Sequence, residues 1–266
     1  MVPSKQVLRT VLATRYVTPL REGGSLPAIV EADDDGLYVL KFRGAGQGPL
    51  ALLAELIAGE IGRALELQVP EIVFALVDEA LGRNEPDEEV RDLLRMSVGL
   101  NLAIDYLPGS VMFDAAAGDS VDPDLASRAV WFDAFVTNVD RTPRNPNLLC
   151  WHKKVYFIDH GASLYFHHDW RGWKQAARSR FAPVRQHVLL PWASRLAEAD
   201  RLLRGRLSSA LFQSILDLAP DEWLLPEPGA ETPAAKRAAY VQYLSDRLEA
   251  ADLFLEEALG ARACLI

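Results

Sequence analysis

Two polar motifs near the middle of the chain contain residue types that could catalyse a group transfer. The first holds Asp140 with two nearby amides, Asn145 and Asn147, after an apolar stretch. The second places Asp159 directly after the apolar residues 155–158. Phosphoryl transfer needs one carboxylate to orient the attacking hydroxyl, and a carboxylate plus an amide oxygen to hold metal ions. The two motifs therefore predict a phosphotransferase site, with either amide as the oxygen ligand.

A lysine and two glutamates nearer the start of the chain could complete this site. Lys41 lies in the apolar segment 37–42, where a lysine either points to solvent or serves a partner. Glu55 and Glu60 lie on a predicted helix, Glu55 opposite its main apolar stripe and Glu60 at the margin. Either glutamate could reach Lys41, and the spacing does not choose between them.

The elements that must position these residues change in type along the chain. The first part is predicted to be strand-rich, with a hairpin turn at 33–36. Its one predicted helix covers 50–67, and the polar residues 78–92 are predicted to form a mobile connection. The predicted strands are 7–12, 28–32, 37–42, 72–77 and 99–105.

A break rich in Pro and Gly at 106–110 separates this part from a mainly helical one. A helix at 124–137 leads directly into the loop that carries Asp140, and a hairpin of strands 148–151 and 155–158 precedes Asp159. Further helices are predicted at 192–202, 207–218 and 233–259. The two motifs are thus expected to lie where the second part faces the first.

The composition limits the function classes. The chain has 266 residues, 50% hydrophobic and 24% charged, which is typical of a soluble globular protein with one domain or two lobes. A net charge of −9 argues against nucleic acid as a partner. No signal peptide or apolar run of membrane-spanning length is found, so no membrane association is expected. Cys150 and Cys264 lack metal-ligand spacing, which favours a cytoplasmic setting.

The order of elements resembles the protein-kinase-like fold, and the two motifs resemble those of HipA-like kinases, specifically the short stand-alone kinase-domain proteins. The similarity extends over roughly 8–225, and its specific part is 138–147 together with 158–161. It implies an α+β, two-lobed fold. A small strand-rich N-lobe is expected over 1–105 and a mainly helical C-lobe over 106–266.

The resemblance also implies roles for individual residues. Asp140 would be the catalytic acid/base, Asp159 the principal Mg²⁺ ligand, and Lys41 the phosphate-binding lysine with Glu55 as its ion-pair partner.

The second metal ligand stays ambiguous between two amides. Asn145 has the kinase-like offset of five residues from Asp140, whereas Asn147 directly precedes a predicted strand, as the kinase amide does. Asn145 is preferred.

Kinases cover the phosphates of the nucleotide with a glycine-rich loop, and this chain lacks the usual pattern of three glycines. Gly23 and Gly24, followed by Ser25, are the nearest equivalent. HipA-like kinases phosphorylate a serine in that loop, so the resemblance implies that Ser25 can be autophosphorylated. The added negative charge would repel the nucleotide and inactivate the enzyme.

The implied function is an ATP-dependent kinase that uses Mg²⁺, with adenine at the backbone of Ile104, Asp105 and Tyr106. The acceptor hydroxyl could belong to a protein Ser/Thr or to a small molecule, and the oligomeric state is open. The alternative is a pseudokinase or nucleotide-binding regulatory module without turnover. The missing glycine pattern favours that alternative, and the presence of both Asp140 and Asp159 argues against it.

Overall fold

The first part of the chain forms a closed barrel of five strands. The computed structural model describes residues 7–20, 26–46, 48–83 and 85–265, so Gly23, Gly24 and Ser25 lie outside the described residues. The strands are β1 (Thr10–Pro19), β2 (Ala28–Ala32), β3 (Leu37–Lys41), β4 (Ile72–Val77) and β5 (Gly99–Asp105). Their order in the barrel is β1–β2–β3–β5–β4, parallel between β1 and β4 and antiparallel elsewhere.

Alternation along β3 decides where Lys41 lies. Tyr38 and Leu40 point into the barrel and are buried, with Val30 and Ala103 among their neighbours in the same apolar cluster. Because side chains alternate along a strand, Lys41 lies on the outer face. The barrel interior therefore consists of apolar residues, and the lysine faces the helix that follows.

Two predictions for the barrel region were wrong. The first strand runs over Thr10–Pro19 rather than 7–12, because it pairs with β4 and then with β2, and two register shifts interrupt its apolar alternation. The segment 78–92 was expected to be a mobile connection without regular structure, but its last five residues, 88–92, belong to helix α2 (Glu88–Met96). The carboxylate of Asp87 caps this helix, and its buried side chains follow a helical spacing: Val90, Leu93 and Leu94.

Helix α1 (Pro49–Ala64) connects the barrel to the rest of the protein. Pro49 occupies its first turn, where the missing N–H costs nothing. The helix ends before Glu66, which adopts a left-handed conformation with φ of 59°. Almost all of its middle is buried, because it packs on the barrel on one side and on the helical part on the other.

The remainder is mainly helical, as predicted. The longest predicted helix, 233–259, is broken at Ala250 into two helices. The helix predicted at 192–202 begins only at Leu196, after a short 3₁₀ turn at Leu190–Trp192. A small sheet contains β6 (Val111–Met112), β7 (Leu148–Trp151) and β8 (Lys154–Phe157). The helices are α3 (Pro123–Val136), α4 (Trp173–Ala176), α5 (Leu196–Arg204), α6 (Ser209–Leu216), α7 (Pro233–Glu249) and α8 (Ala251–Ala263).

One apolar core extends from α1 through α3 to the C-terminal helices. Trp223 is fully buried within it, and its ring meets Phe74 of β4 edge-on, with the centroids 5.7 Å apart. Arg43, after β3, forms an ion pair with Glu222 at 3.2 Å. The interior of the barrel is a separate apolar cluster, but the outer face of β4 and β5 thus packs into the core of the helical part. A boundary at 105/106 stays a prediction. None of the helices in the described ranges has the length and apolar character needed to cross a bilayer.

Candidate functional site

A cleft of about 980 Å³ lies between the barrel and the helical part. Its walls come from β3 and β5, from the segment after β5, and from the two polar motifs. A smaller cavity of about 320 Å³ adjoins it and shares Lys41 and Asp159. Eight predicted site residues line the larger cleft: Lys41, Ile104, Asp105, Tyr106, Asp140, Asn145, Asn147 and Asp159.

Lys41 lies between two carboxylates at the back of the cleft. Its Nζ donates to Glu55 Oε2 at 2.9 Å and to Asp159 Oδ1 at 2.5 Å. Burial opposes the charge of Lys41, but the two carboxylates outweigh it and raise the lysine pKa above its ordinary value. Burial likewise opposes ionisation of Glu55, yet Lys41 and His160 hold the pKa of its carboxyl well below the usual range. The Lys41–Glu55 pair is therefore fully charged.

The structure brings Glu55, and not Glu60, to Lys41. Glu60 is also buried on α1, but its carboxylate lies 3.5 Å from Nε of Arg63, one turn along the same helix. Helical periodicity could not separate the two glutamates, because α1 is buried on nearly every side.

Asp140 and both candidate amides meet at one carboxylate oxygen. Nδ2 of Asn145 donates to Asp140 Oδ2 at 2.7 Å, and Nδ2 of Asn147 lies 3.4 Å from the same atom. Burial and the nearby charge of Asp159 raise the pKa of Asp140, although the amides and Arg141 oppose the shift. A carboxylate whose pKa is raised accepts a proton more readily. The geometry leaves the choice between the amides open.

Two of the candidate metal ligands adopt left-handed backbone conformations. Asn147 has a φ of 50° and Asp159 a φ of 53°. Asn and Asp tolerate this region better than other residues with side chains, and such conformations are common at functional sites. The amide N–H of Ile158 donates to Asn147 O at 3.1 Å, so the two motifs are held side by side.

A buried network beneath the loop 140–147 fixes the shape of that loop. Arg141 Nε donates to Asp133 Oδ2 at 2.6 Å, and its Nη1 contacts the carbonyl oxygens of Asn147 and Ile158. The guanidinium of Arg141 thus contacts the backbone of the candidate metal ligand Asn147 and of Ile158, the residue before Asp159. His187 Nε2 donates to the same Asp133 oxygen at 2.8 Å.

The protonation states in this network follow from its hydrogen bonds. His187 Nδ1 accepts from Leu189 N at 3.0 Å, so the imidazole is neutral and carries its hydrogen on Nε2. Burial of Asp133 opposes its charge, but Arg141 and His187 outweigh burial and hold the pKa of Asp133 well below its usual value. The residues Asp133, Asn138, Arg141 and His187 are called the Asp133 network below.

Sequence reasoning missed Asp133, His187 and the side chain of His160. A signal was present for Asp133, because an acid in the otherwise apolar run 130–136 must be either exposed or paired. His187 gave no local signal, since its partner lies 54 residues away. His160 belongs to the second motif, and its Nδ1 lies 3.4 Å from Glu55 Oε1.

The backbone of Ile104, Asp105 and Tyr106 was predicted to bind the adenine base, but two of its N–H groups are already hydrogen-bonded within the protein. Asp105 N donates to Glu71 O at 2.8 Å and Tyr106 N donates to Leu37 O at 3.0 Å, so these two donors already have protein partners. Ile104 contributes a buried apolar side chain to the cleft wall.

The residues present fit a Mg²⁺ ion. Asp140 and Asp159 lie close enough for the charge of one to raise the pKa of the other, which is the electrostatic setting that a cation relieves. The described ranges contain no cluster of three or more His, Cys, Asp or Glu side chains that could hold a metal. Mg²⁺ usually takes only one or two protein carboxylates together with substrate phosphates.

Comparison with solved structures identifies the fold. The chain is similar to the Helicobacter pylori proinflammatory kinase CtkA, with a TM-score of 0.61 and 13% identity over 95% of this chain and 99% of that one. A Golgi casein kinase with Mn/ADP bound matches at a TM-score of 0.46 and 10% identity, covering 94% of this chain and 73% of that one. The two-lobed protein-kinase-like fold is confirmed.

Comparison of sequences identifies the family. No curated protein matches the chain. The sequence pattern of the HipA-like kinases matches residues 14–256, which is most of the chain and includes both polar motifs. This chain therefore belongs to the HipA-like kinase family.

Proposed function

We propose that this protein is an ATP-dependent phosphotransferase that moves the γ-phosphoryl group of ATP to a hydroxyl acceptor. The proposal rests on one observation, which is that the required groups meet in a single cleft. These groups are the Lys41–Glu55 pair, Asp159, and Asp140 with its two amides. Membership of a kinase family supports this reaction class.

Each group has a defined task in the reaction. Lys41 exchanges its contact with Asp159 for the phosphates and keeps Glu55 as its anionic partner. Asp159, with Asn145 or Asn147, would hold Mg²⁺, and the bound ion would neutralise charge on the phosphates. Asp140 accepts the hydroxyl proton as the new oxygen–phosphorus bond forms. The bond from the γ-phosphorus to the β–γ bridging oxygen breaks, and ADP leaves with that electron pair.

The adenine ring is proposed to lie in the part of the cleft lined by Ile104, Asp105 and Tyr106, with Val39 and Leu149 among the apolar walls. The acceptor is proposed to be either a protein Ser/Thr or a small alcohol. Cys150 and Cys264 are free thiols, which supports the proposed cytoplasmic setting.

The two aspartates provide the sharpest test, because metal binding and proton transfer fail differently. Asp159→Asn should weaken calorimetric binding of Mg·ATP and abolish ADP release, since a hard cation loses an anionic ligand. Asp140→Asn should bind Mg·ATP almost normally while turnover falls by about 10²–10⁴-fold. Asp92→Asn, an exposed position on α2, is the matched control and should change neither.

The outcomes separate the competing functions. Binding with turnover supports the kinase, whereas Mg²⁺-dependent binding without turnover in the wild type would establish the pseudokinase alternative. Absence of both would reject a nucleotide site in this cleft. Loss of nucleotide binding in Asp140→Asn but not in Asp159→Asn would show that the two roles are assigned the wrong way round.

A further inference from the structure

His160 lies buried between the candidate metal ligand Asp159 and Gly161. Its Nδ1 is 3.4 Å from Oε1 of Glu55, while the other oxygen of that carboxylate accepts from Lys41 at 2.9 Å. An ionised carboxylate can only accept hydrogen bonds, so the imidazole hydrogen that faces Glu55 lies on Nδ1. Both oxygens of Glu55 are therefore occupied, one by the lysine and one by the second polar motif.

Packing alone does not account for an imidazole at this position. The ring lies edge-on to Phe132, with the centroids 5.8 Å apart. Its Nε2 is buried and has no hydrogen-bond partner among the described residues. An unpaired buried nitrogen is unfavourable, and a phenyl ring would fill the space without that cost. The hydrogen bond from Nδ1 to Glu55 is the contact that a phenyl ring could not replace.

We infer that His160 is a positioning residue that orients the Glu55 carboxylate toward Lys41. This inference rests on the proposed kinase function, in which Lys41 leaves Asp159 for the phosphates. Glu55 is then the carboxylate that still holds Lys41, so its orientation determines where the ammonium group lies. The backbone of His160 is itself fixed, since Ser163 N donates to its carbonyl at 2.9 Å. His160 thereby links the lysine–glutamate pair to the segment that carries Asp159.

Two substitutions separate this role from simple packing. His160→Phe keeps an aromatic ring and removes the donor, whereas His160→Asn keeps a donor near the Nδ1 position and removes most of the ring. We expect His160→Phe to lower kcat/KM for ATP by about 10–100-fold, the range for loss of a hydrogen bond to a charged group. We expect His160→Asn to stay within about threefold of the wild type, even though it unfolds at a lower urea concentration than His160→Phe.

A packing role predicts the reverse order of activities, with His160→Phe the more active variant, and that result would overturn the inference. The Glu55→Gln background provides a second measurement that does not depend on the stability of the Asn variant. Because His160 acts through Glu55, His160→Phe should have little further effect on kcat/KM in that background. An undiminished effect there would also overturn the inference.

Failure of the proposed function is distinguishable from failure of this inference. A wild-type protein that neither binds nor turns over Mg·ATP would reject the function and the inference together. An active wild type whose His160→Phe variant is equally active would reject the inference alone. Urea unfolding of each variant shows that the proteins compared are folded.

Discussion

Glu55 and Asp133 are carboxylates with similar partners in two different regions. Each is almost completely buried, each binds one cation, and each lies beside a histidine. The difference lies in the cation. Lys41 also contacts Asp159, whose side chain is 40% exposed to the cleft, whereas the guanidinium of Arg141 is fully enclosed and contacts backbone carbonyl oxygens.

This difference in exposure indicates a difference in task. A cation that shares an exposed partner can exchange that partner for an anionic ligand. Lys41, Glu55 and Asp159, called the Lys41 cluster below, are therefore suited to ligand binding. The Arg141 guanidinium is enclosed by backbone carbonyl groups, so a ligand in the cleft cannot reach it. The Asp133 network therefore has a structural task, which is to support the loop between Asp140 and Asn147. Buried ion pairs add little net stability compared with apolar residues, but removing one partner is costly because a buried charge remains unpaired.

The largest expected effect is a difference in the free energy of unfolding between variants that lack Arg141 and variants that lack Lys41. Arg141→Met should lower the free energy of unfolding by about 3–5 kcal/mol, because Asp133 stays buried without its cation. Lys41→Met should destabilise the protein less, since Asp159 is already half-exposed and Glu55 keeps His160. Urea unfolding measures both, and equal losses would contradict the comparison.

Ligand binding should stabilise the protein through the Lys41 cluster alone. At a Mg·ATP concentration of about 100 times Kd, binding adds about 2.7 kcal/mol to the stability of the wild type. His187→Gln, which keeps a donor toward Asp133, should retain this gain, and Asp159→Asn should lose most of it. Thermal unfolding with and without Mg·ATP checks the expectation. A gain that survived in Asp159→Asn would place the metal site elsewhere.

The two glutamates of α1 should differ in their effect on activity. Glu55→Gln should reduce kcat/KM for ATP by roughly 10–100-fold, because Lys41 loses a hydrogen bond to a charged acceptor. Glu60→Gln should leave kcat/KM near the wild-type value, since its carboxylate lies beside Arg63. Steady-state kinetics of the two variants provides the test, and a larger loss in Glu60→Gln would be the contrary result.

The smallest expected effect is on how the free energy of unfolding changes as the pH is lowered. The folded pKa of Asp133 lies below its unfolded value of about 3.9, so its stabilisation is present above that pH and is lost as pH falls. The difference in unfolding free energy between wild type and Asp133→Asn should therefore narrow by about 1 kcal/mol between about pH 6 and pH 3. A difference that stayed constant would show that the pKa of Asp133 is the same in the folded and the unfolded protein.

The sequence predicted the elements whose signals are local. The strands Ile72–Val77 and Gly99–Asp105 begin and end where the apolar runs indicated, and both polar motifs line the cleft. Helix α2 was missed because its four apolar residues lie among five charged ones, which gives the segment a polar composition. The break at Ala250 was missed because the sequence there contains neither Gly nor Pro.

The parts of the site that sequence could not provide are contacts between distant residues. Asp133 and His187 meet across 54 residues, and Lys41 meets Asp159 across 118. Periodicity identifies the buried face of a helix that is half exposed, but α1 is enclosed by two layers. Only the fold therefore selects Glu55 over Glu60 as the neighbour of the lysine.

The shared apolar core has a consequence for how the protein moves. Rigid rotation of the barrel against the helices would have to separate Trp223 from Phe74. It would also have to break the packing of α1 against either the barrel or the helical part. Packed interiors resist gradual deformation, so a hinge of that kind would be slow. We therefore expect opening and closing to be confined to the rim of the cleft. The floor of the cleft should stay rigid, so that each nucleotide is bound in the same orientation.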